Sequence, residues 1–424
     1  MRDKLSILGH YLKAKYLRRF PDRAALEAHQ RRQLARFKTE VLQHLPFFAD
    51  LWEKDLSSFP LTDKAIVQQN FAGLNSLALP YDVGLPLAMR REKVDGITVG
   101  LSSGTSGRRG VFLVSEEERH FWLGVMLAKA LPGPLWQKHR VVLALSANSD
   151  LYTTANKNSR MRFHFLDLKA AYQDHLDTLT HVQPTILIAP AQFLKKLAQS
   201  VQAGDLQINP ARIFSVGEVL SDEDRTFIGD QFHQPIHQIY QCTEGFLGIT
   251  CAHGTLHLNE EYVHVEKEWL DEDKTHFNPI ITDFSRTTQA IVRYRLNDIL
   301  KIRQTPCACG SPLLAIEKVE GRCDDILKLP HTDQTTSVDF YPDDIRALIL
   351  DADPSIRDFR VHQSDVDQLR LRIDSPSPAA KNKVAHALLH ATRTRKAQPP
   401  TLTFDDWPPA VDLSQKLRRI VRDC

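Results

Sequence analysis

Nothing in this chain is long and apolar enough to cross a bilayer: no uncharged hydrophobic run approaches the roughly 20 residues a spanning helix needs. An excess of one charge sign is lacking too. Lysine plus arginine number 54 and aspartate plus glutamate 52, a net of +2, which argues against nucleic acid as a partner. No Gly-x-x-x-x-Gly-Lys-Ser/Thr run occurs, which excludes the phosphate loop that opens a helix. There is no internal repeat and no long low-complexity tract. Cysteine is sparse, with six residues, and no small-residue cleavage site follows the basic start of the chain. A cytoplasmic, reducing compartment is therefore expected, where paired cysteines are better explained by metal than by disulfides.

What remains is an ordinary globular composition, 42% hydrophobic and 25% charged, over 424 residues. That length suits one large domain and a smaller one. In the opening stretch Leu5, Leu8, Leu12 and Tyr16 recur at helical spacing among Arg2, Lys4, Lys13, Lys15, Arg18 and Arg19. This basic amphipathic helix is expected to pack on the domain with its charges in water; a membrane surface or an anionic ligand is its other possible contact.

Residues 97–111 organise the rest of the reading. Ile97, Val99 and Leu101 alternate into six small residues, Ser102, Ser103, Gly104, Thr105, Ser106 and Gly107, and the chain leaves through Val111, Leu113 and Val114. The pattern predicts a hairpin with almost no side-chain bulk at its tip. Such a tip lets backbone N–H groups approach a polyanion, while the hydroxyls add donors and Arg108 and Arg109 add charge. A triphosphate is the natural guest.

Helices are predicted over 22–45 and 116–131. After them the runs Val141-Val-Leu-Ala-Leu-Ser-Ala, Thr185-Ile-Leu-Ile-Ala, Arg212-Ile-Phe-Ser-Val and Ile236-His-Gln-Ile-Tyr alternate with helical stretches at 167–182, 190–202 and 221–232. This is the signature of an α/β fold with a mostly parallel sheet covered by helices, in which ligands sit beyond the carboxyl ends of the strands. Those ends carry Ser146-Ala-Asn-Ser-Asp, Ala189-Pro-Ala, Val216-Gly-Glu-Val and Gln241-Cys-Thr-Glu-Gly. Beyond Gly321 a strand (338–341), a helix (343–351), strands near 356–362 and 368–373, a helix (379–395) and a strand (401–404) predict a small α+β domain.

Five stretches then fall in one order: the Ser/Gly loop, Tyr240-Gln-Cys-Thr-Glu-Gly, Arg293-Tyr-Arg-Leu-Asn-Asp298, Gly321-Arg-Cys-Asp-Asp-Ile-Leu-Lys328 and Leu413-Ser-Gln-Lys-Leu-Arg-Arg-Ile. Together they resemble the adenylate-forming superfamily of acyl-CoA synthetases, most closely its phenylacetate-CoA ligase and deazaflavin-coenzyme AMP ligase branch. The resemblance implies a large adenylation domain, residues 1–321, and a small mobile α+β domain, residues 322–424. It implies that Ser102 to Gly107 hold the β- and γ-phosphates of ATP, Gly217 and Glu218 line the adenine, and Tyr240 stacks on it. Thr243 would touch phosphate, Glu244 hold magnesium, and Asp298 accept from the ribose hydroxyls. Arg322 would lie beside the nucleotide, Asp324 mark the hinge, and Lys416 meet the reacting carboxylate and the α-phosphate.

The implied reaction has two steps. A carboxylic acid attacks the α-phosphate of ATP to give an acyl-AMP and pyrophosphate, and a second nucleophile, coenzyme A or another acyl acceptor, displaces AMP. The alternatives are transfer to an amine, a hydroxyl or a carrier protein, adenylylation of a metabolite without transfer, and a nucleotide-binding regulatory protein of low turnover. Asn148, Tyr152, His164 and Phe246 are candidate pocket residues for the acid, with packing as the other reading of each.

Cys251 and His257 form a sulfur/imidazole pair and Cys307 and Cys309 a pair of sulfurs, a set that can close a structural zinc site; the same branch carries a similar pattern, and His253 is a rival ligand. Three departures stand out. Arg108 and Arg109 follow the Ser/Gly loop where the family often has lysine. Gln415 replaces a glycine. The segment Leu329-Pro-His-Thr-Asp-Gln-Thr-Thr-Ser-Val-Asp-Phe-Tyr-Pro takes the place of a Gly-Val-Asn-Val-Phe-Pro-like run that helps form the thiol tunnel.

Overall fold

The computed structural model describes residues 2–102, 110–145, 160–375, 377–407, 413 and 416–423. The chain divides into two compact units, Met1–Leu296 with Lys301–Lys318, and Asn297–Leu300 with Val319–Cys424.

The first unit opens with a helix, Arg2–Leu12, and a π-helical turn, Lys13–Leu17. Tyr11 is buried against the helix Glu116–Ala130, with Ala14 packed beside it. Gly124 permits this close approach, since a Cβ there would meet the Ile7 carbonyl at 2.7 Å and the His10 Cβ at 2.6 Å. The helix packs on the domain as expected, but not through its leucine row. The face that packs carries Tyr11 and Ala14, and the row Leu5, Leu8, Leu12 and Tyr16 points to solvent. That row lies on the side of the helix away from Gly124, the position whose lack of a side chain lets the two helices approach.

The helix predicted over 22–45 spans Arg23–Glu40, capped by the Asp22 carboxylate on the Ala25 N–H, and 3-10 turns at Leu42–His44 and Pro46–Phe48 follow. A three-stranded antiparallel sheet comes next: β1 (Lys93–Val94), β2 (Ile97–Leu101) and β3 (Val111–Val114). Ser115 caps the helix Glu116–Ala130 in a full capping box with Glu118.

The main sheet is built from β4 (His139–Leu145), β5 (Met161–Asp167), β6 (Ile186–Ala189), β7 (Arg212–Val216), β8 (Ile236–Gln241), β9 (Phe246–Thr250), β10 (Leu256–Leu258), β11 (Val263–Trp269), β12 (His276–Asp283), β13 (Tyr294–Arg295), β14 (Asp298–Ile302) and β15 (Ala315–Arg322). Its order is β11-β12-β14-β15-β10-β9-β8-β7-β6-β4-β5, with β13 on β12. Strands β5, β4, β6, β7 and β8 run parallel, and β9 turns antiparallel on β8. The helices Tyr172–Val182, Ala191–Ala203 and Asp222–Phe232 connect the parallel strands, as their near-continuous apolar runs require. Strand β5 was not expected. Three of its side chains are only half-buried, so it carries a weak apolar pattern at the edge, and the helix read from 167 begins at Tyr172 after an Asp167 turn.

In the second unit β16 (Leu327–Pro330) and β17 (Ser337–Phe340) make a hairpin, so the segment that departs from the branch folds as two paired strands. Beyond the helix Pro342–Leu350 come β18 (Asp358–Asp365), β19 (Gln368–Asp374), the helix Ala380–Thr394, β20 (Thr401–Asp405) and β21 (Ile420–Arg422). The sheet order is β20-β19-β18-β21. Ile345 and Ile349 of one helix and Val384 and Leu388 of the other close a core with Phe340, Phe359, Val361 and Leu371.

Candidate active site and cysteine-histidine cluster

The hairpin meant to cradle phosphate is locked at its base. Leu101 pairs with Val111, the Ser102 N–H donates to the Gly110 carbonyl at 2.8 Å, and the Gly110 N–H donates to Ser102 Oγ at 2.8 Å. Ser102 is therefore partly engaged in holding the two strands together. Ser103, Gly104, Thr105, Ser106 and Gly107 lie outside the described residues, as do Arg108, Arg109, Asn148, Tyr152 and Gln415. Lys64 stands at the base of this hairpin. Its Cε lies 3.8 Å from where a Cβ on Gly110 would be.

At the carboxyl end of the parallel strands, Val216 is in register with Ile239, which sets Gly217 and Glu218 beside Tyr240. Gly217 has φ +77°, a left-handed conformation that turns the chain away from the strand. The Glu218 carboxylate accepts from the Gln192 N–H at 3.1 Å and from Gln192 Nε2 at 2.9 Å, at the start of the helix Ala191–Ala203. A carboxylate at a helix N-terminus is held there by the free N–H groups of the first turn.

After β8 the chain turns tightly, with the Cys242 N–H on the Gly245 carbonyl at 3.1 Å, and presents Thr243 and Glu244. Two side chains hold this turn. Arg286 donates through Nη1 to the Thr243 carbonyl at 3.0 Å and through Nη2 to the Leu113 carbonyl of β3 at 3.0 Å. Tyr294 hydrogen-bonds the Glu244 side chain, and burial, then the charge of Glu244, pushes its phenol well above the usual range. Behind them Glu118 accepts from the Thr287 and Thr288 N–H groups at 2.7 and 2.9 Å. Asp283 is buried beside Gly245, and burial pushes its carboxyl up to about 6 despite donation from Ser285.

The sequence reading missed Arg286 and gave Tyr294 no role. Tyr294 sits inside the Arg-Tyr-Arg stretch, which was a signal; Arg286 bonds backbone carbonyls far along the chain, which no spacing reveals.

In the second unit Asp298 opens β14 and Arg322 ends β15. The Asn297 amide donates to Asp324 and its Oδ1 accepts the Asp324 N–H, while the Cys323 N–H donates to the Asn297 carbonyl at 3.1 Å. Asp298, Arg322 and Asp324 are thus gathered at one junction. Lys416 is exposed, four residues before β21, a strand anchored by Arg418 on Asp325 and by Arg419 on Asp358. His164 is corrected as a pocket candidate: it lies mid-strand in β5, opposite Val142, and not at a strand end. Phe246 is buried in the core with Leu247 and Ile249.

Cys251, His257, Cys307 and Cys309 converge, each offering a ligand atom within 4.8 Å of the others. Two glycine turns bring this about. Gly254 at φ +79° folds the chain back so that the Cys251 N–H meets the Thr255 carbonyl, and Gly310 at φ +68° closes its N–H on the Cys307 carbonyl. Cys251 and Cys307 sulfurs are 3.7 Å apart, and His257 Nε2 is 3.4 Å from the Cys309 sulfur. The other imidazole nitrogen faces the Leu313 carbonyl at 3.1 Å, which fixes the tautomer with Nε2 free to ligate. Burial raises the Cys307 thiol, but hydrogen bonds with Thr255, Cys309 and His257 outweigh it and bring the group down to about 6. His253 is exposed on the turn and outside the cluster.

No family model matches the chain, and no curated protein matches it in sequence. Solved structures do match it in fold. A 2-hydroxyisobutyryl-CoA ligase, in the postadenylation state with R3-HIB-AMP, superposes with a TM-score of 0.69 at 14% identity over 94% of this chain and 90% of that one. The fold is that of the adenylate-forming ligases. The amide bond synthetase McbA from Marinactinospora thermotolerans matches at TM-score 0.54 and 13% identity, over 76% of this chain and 68% of its own. A chain from structural and functional studies of fatty acyl-adenylate ligases from E. coli and L. pneumophila matches at TM-score 0.53 and 13% identity, over 76% of this chain and 67% of its own. The adenylate-forming fold puts the Thr243–Glu244 turn at the carboxyl end of β8, where an α/β sheet collects ligands.

Proposed function

We propose that this protein is an adenylate-forming ligase of the phenylacetate-CoA ligase-like kind. It activates a carboxylic acid with ATP and passes the acyl group to coenzyme A or another acceptor. One observation carries the reading: the turn bearing Thr243 and Glu244 is pinned by Arg286 to β3, the strand beside which Ser102 is held on Gly110, so a phosphate-binding and a cation-binding candidate share one mount.

In this reading Ser102, Ser103, Gly104, Thr105, Ser106 and Gly107 receive the β- and γ-phosphates. Gly217, Glu218 and Tyr240 flank the adenine, and Asp298 and Arg322 take the ribose and its surroundings. Asp324 is the hinge, and the small domain, residues 322–424, swings about it. The acid's oxygen attacks the α-phosphorus, the bond to the β-phosphate oxygen breaks, and pyrophosphate leaves. Lys416 offsets charge on the reacting oxygens, and Thr243 donates to phosphate. Glu244, an oxygen donor steadied by Tyr294, suits magnesium, which would neutralise phosphate charge. Cys251, His257, Cys307 and Cys309 suit a structural zinc, whose four protein ligands would tie the β9–β10 turn to the 307–310 turn.

The neighbours support either acceptor: the hydroxyisobutyryl ligase is also known with 2-HIB-AMP and CoA bound, whereas McbA is an amide bond synthetase. ATP–pyrophosphate exchange over a panel of aryl and aliphatic acids tests the first step. Exchange that needs an acid is expected; its absence with every acid would favour a regulatory nucleotide-binding protein. Thioester formation with coenzyme A against amide formation with amines then separates the acceptors.

A further inference from the structure

The helix Arg2–Leu12 and its π-helical continuation are fixed to the domain by one face only. Tyr11 is 3% exposed, His10 and Ser6 reach Glu117 at 2.8 and 3.1 Å, and Lys15 donates to the Ala128 carbonyl at 3.1 Å. The other face is apolar and bare. Leu5 is 61% exposed, Leu8 39%, Leu12 44%, Tyr16 53% and Leu17 77%. These are five of the ten exposed large apolar side chains among the described residues, gathered within one short segment. Scattered exposed leucines need no explanation, but a continuous row on one helix face does.

The charge around the row points to its occupant. Lys4, Lys13 and Arg19 are exposed on the same segment, whose one acidic residue is Asp3. Burial, then the charges of Arg18 and Arg36, holds Lys13 below its usual range, and burial, then Arg19 and Arg212, does the same to Lys15. Neighbouring cations add to the effect of burial at both lysines, and an anionic surface would offset their charge. A second copy of the chain would bring like charges together across a two-fold axis, and is disfavoured for that reason. No helix among the described residues is long and apolar enough to cross a membrane, so the contact is peripheral.

We propose that the Leu5, Leu8, Leu12, Tyr16 and Leu17 face lies in the headgroup region of an anionic bilayer, with Lys4, Lys13 and Arg19 on the lipid phosphates. The apolar row supplies the buried area and the cations supply the preference for negative charge.

Vesicle flotation with the full chain tests it, using vesicles of phosphatidylglycerol mixed with phosphatidylcholine and vesicles of phosphatidylcholine alone. Binding to the mixed vesicles is expected, weakened by added salt and lowered roughly tenfold or more in Leu5→Ala/Leu8→Ala/Leu12→Ala. Because those leucines are exposed, the variant keeps its unfolding temperature, which a thermal scan checks. Lys4→Gln/Lys13→Gln/Arg19→Gln should lose the preference for anionic lipid. No flotation with the mixed vesicles, or equal binding to both kinds, overturns the proposal. So does a wild-type dimer in sedimentation velocity that the leucine variant converts to monomer without any vesicle binding, since the face would then belong to a second copy.

Discussion

Arg286 Nη1 lies 3.0 Å from the carbonyl oxygen of Thr243, while Nη2 of the same guanidinium lies 3.0 Å from the carbonyl of Leu113. One planar fork thus spans two separate pieces of backbone, which a lysine ammonium cannot do with both distances kept. Arg286→Lys should therefore fold and bind ATP, yet lower the turnover of acid activation by about tenfold through a mispositioned Thr243–Glu244 turn. Arg286→Ala additionally strands one buried and one half-buried carbonyl and should lower stability by about 1–3 kcal/mol. Steady-state kinetics of the lysine variant decide it: an unchanged kcat would make Arg286 a structural residue only.

Lys64 stands at the base of the Ser/Gly hairpin. A cation there is suited to the outer phosphates of a nucleotide, so Lys64→Ala should raise the KM for ATP by about tenfold and leave the KM for the acid alone. Equal effects on both constants would count against this placement.

The four-residue cysteine and histidine cluster predicts one zinc per chain in protein prepared without added metal, read by elemental analysis. Cys307→Ser should release the metal and lower the unfolding temperature, because metal binding and folding are coupled at closed sites. A wild-type protein without zinc would refute the assignment.

The parallel strands were legible because burial on both faces leaves short continuous apolar runs, as at Ile186–Ala189 and Arg212–Val216. Their carboxyl ends, and with them the places of Glu218, Tyr240, Thr243 and Glu244, followed from the alternation. The edge strand β5 was not legible, since its half-buried side chains mix polar and apolar types. Nor was the packing face of the first helix: helical periodicity finds an apolar row, but Gly124 on the facing helix decides which side can approach. The metal ligand choice between His253 and His257 also needed geometry, because both follow Cys251 within one turn and β10. The bracing of the Thr243–Glu244 turn by Arg286 leaves no mark on spacing, whereas Tyr294 lies inside the Arg293-Tyr-Arg stretch.

Asp283 and His237 predict opposite pH trends. Asp283 is raised to about 6 by burial, so the folded state binds its proton more tightly than the unfolded chain does, and this term lowers stability as pH rises from about 4 to 6. His237 is lowered to about 4 by burial, then by Arg212 and Arg225, so its term raises stability over about pH 4 to 6.5. Asp283→Asn removes the first and keeps an oxygen for Ser285. It should stabilise the protein at pH 7 by about 2 kcal/mol and steepen the rise of stability between pH 4 and 6, as denaturant titrations at several pH values would read. A variant less stable than the wild type at pH 7 would contradict the assignment of a strained, ionised carboxylate.

In the proposed reaction an organic acid is joined to the α-phosphate of ATP with the Lys416 side chain at the reacting oxygens. The measurement is the rate of acyl-adenylate formation by purified Lys416→Ala protein, with the acid that exchanges fastest in the wild type. A fall of about a hundredfold or more with an unchanged unfolding temperature is expected, because a charge that stabilises the transition state is removed. A rate equal to that of the wild type would contradict it.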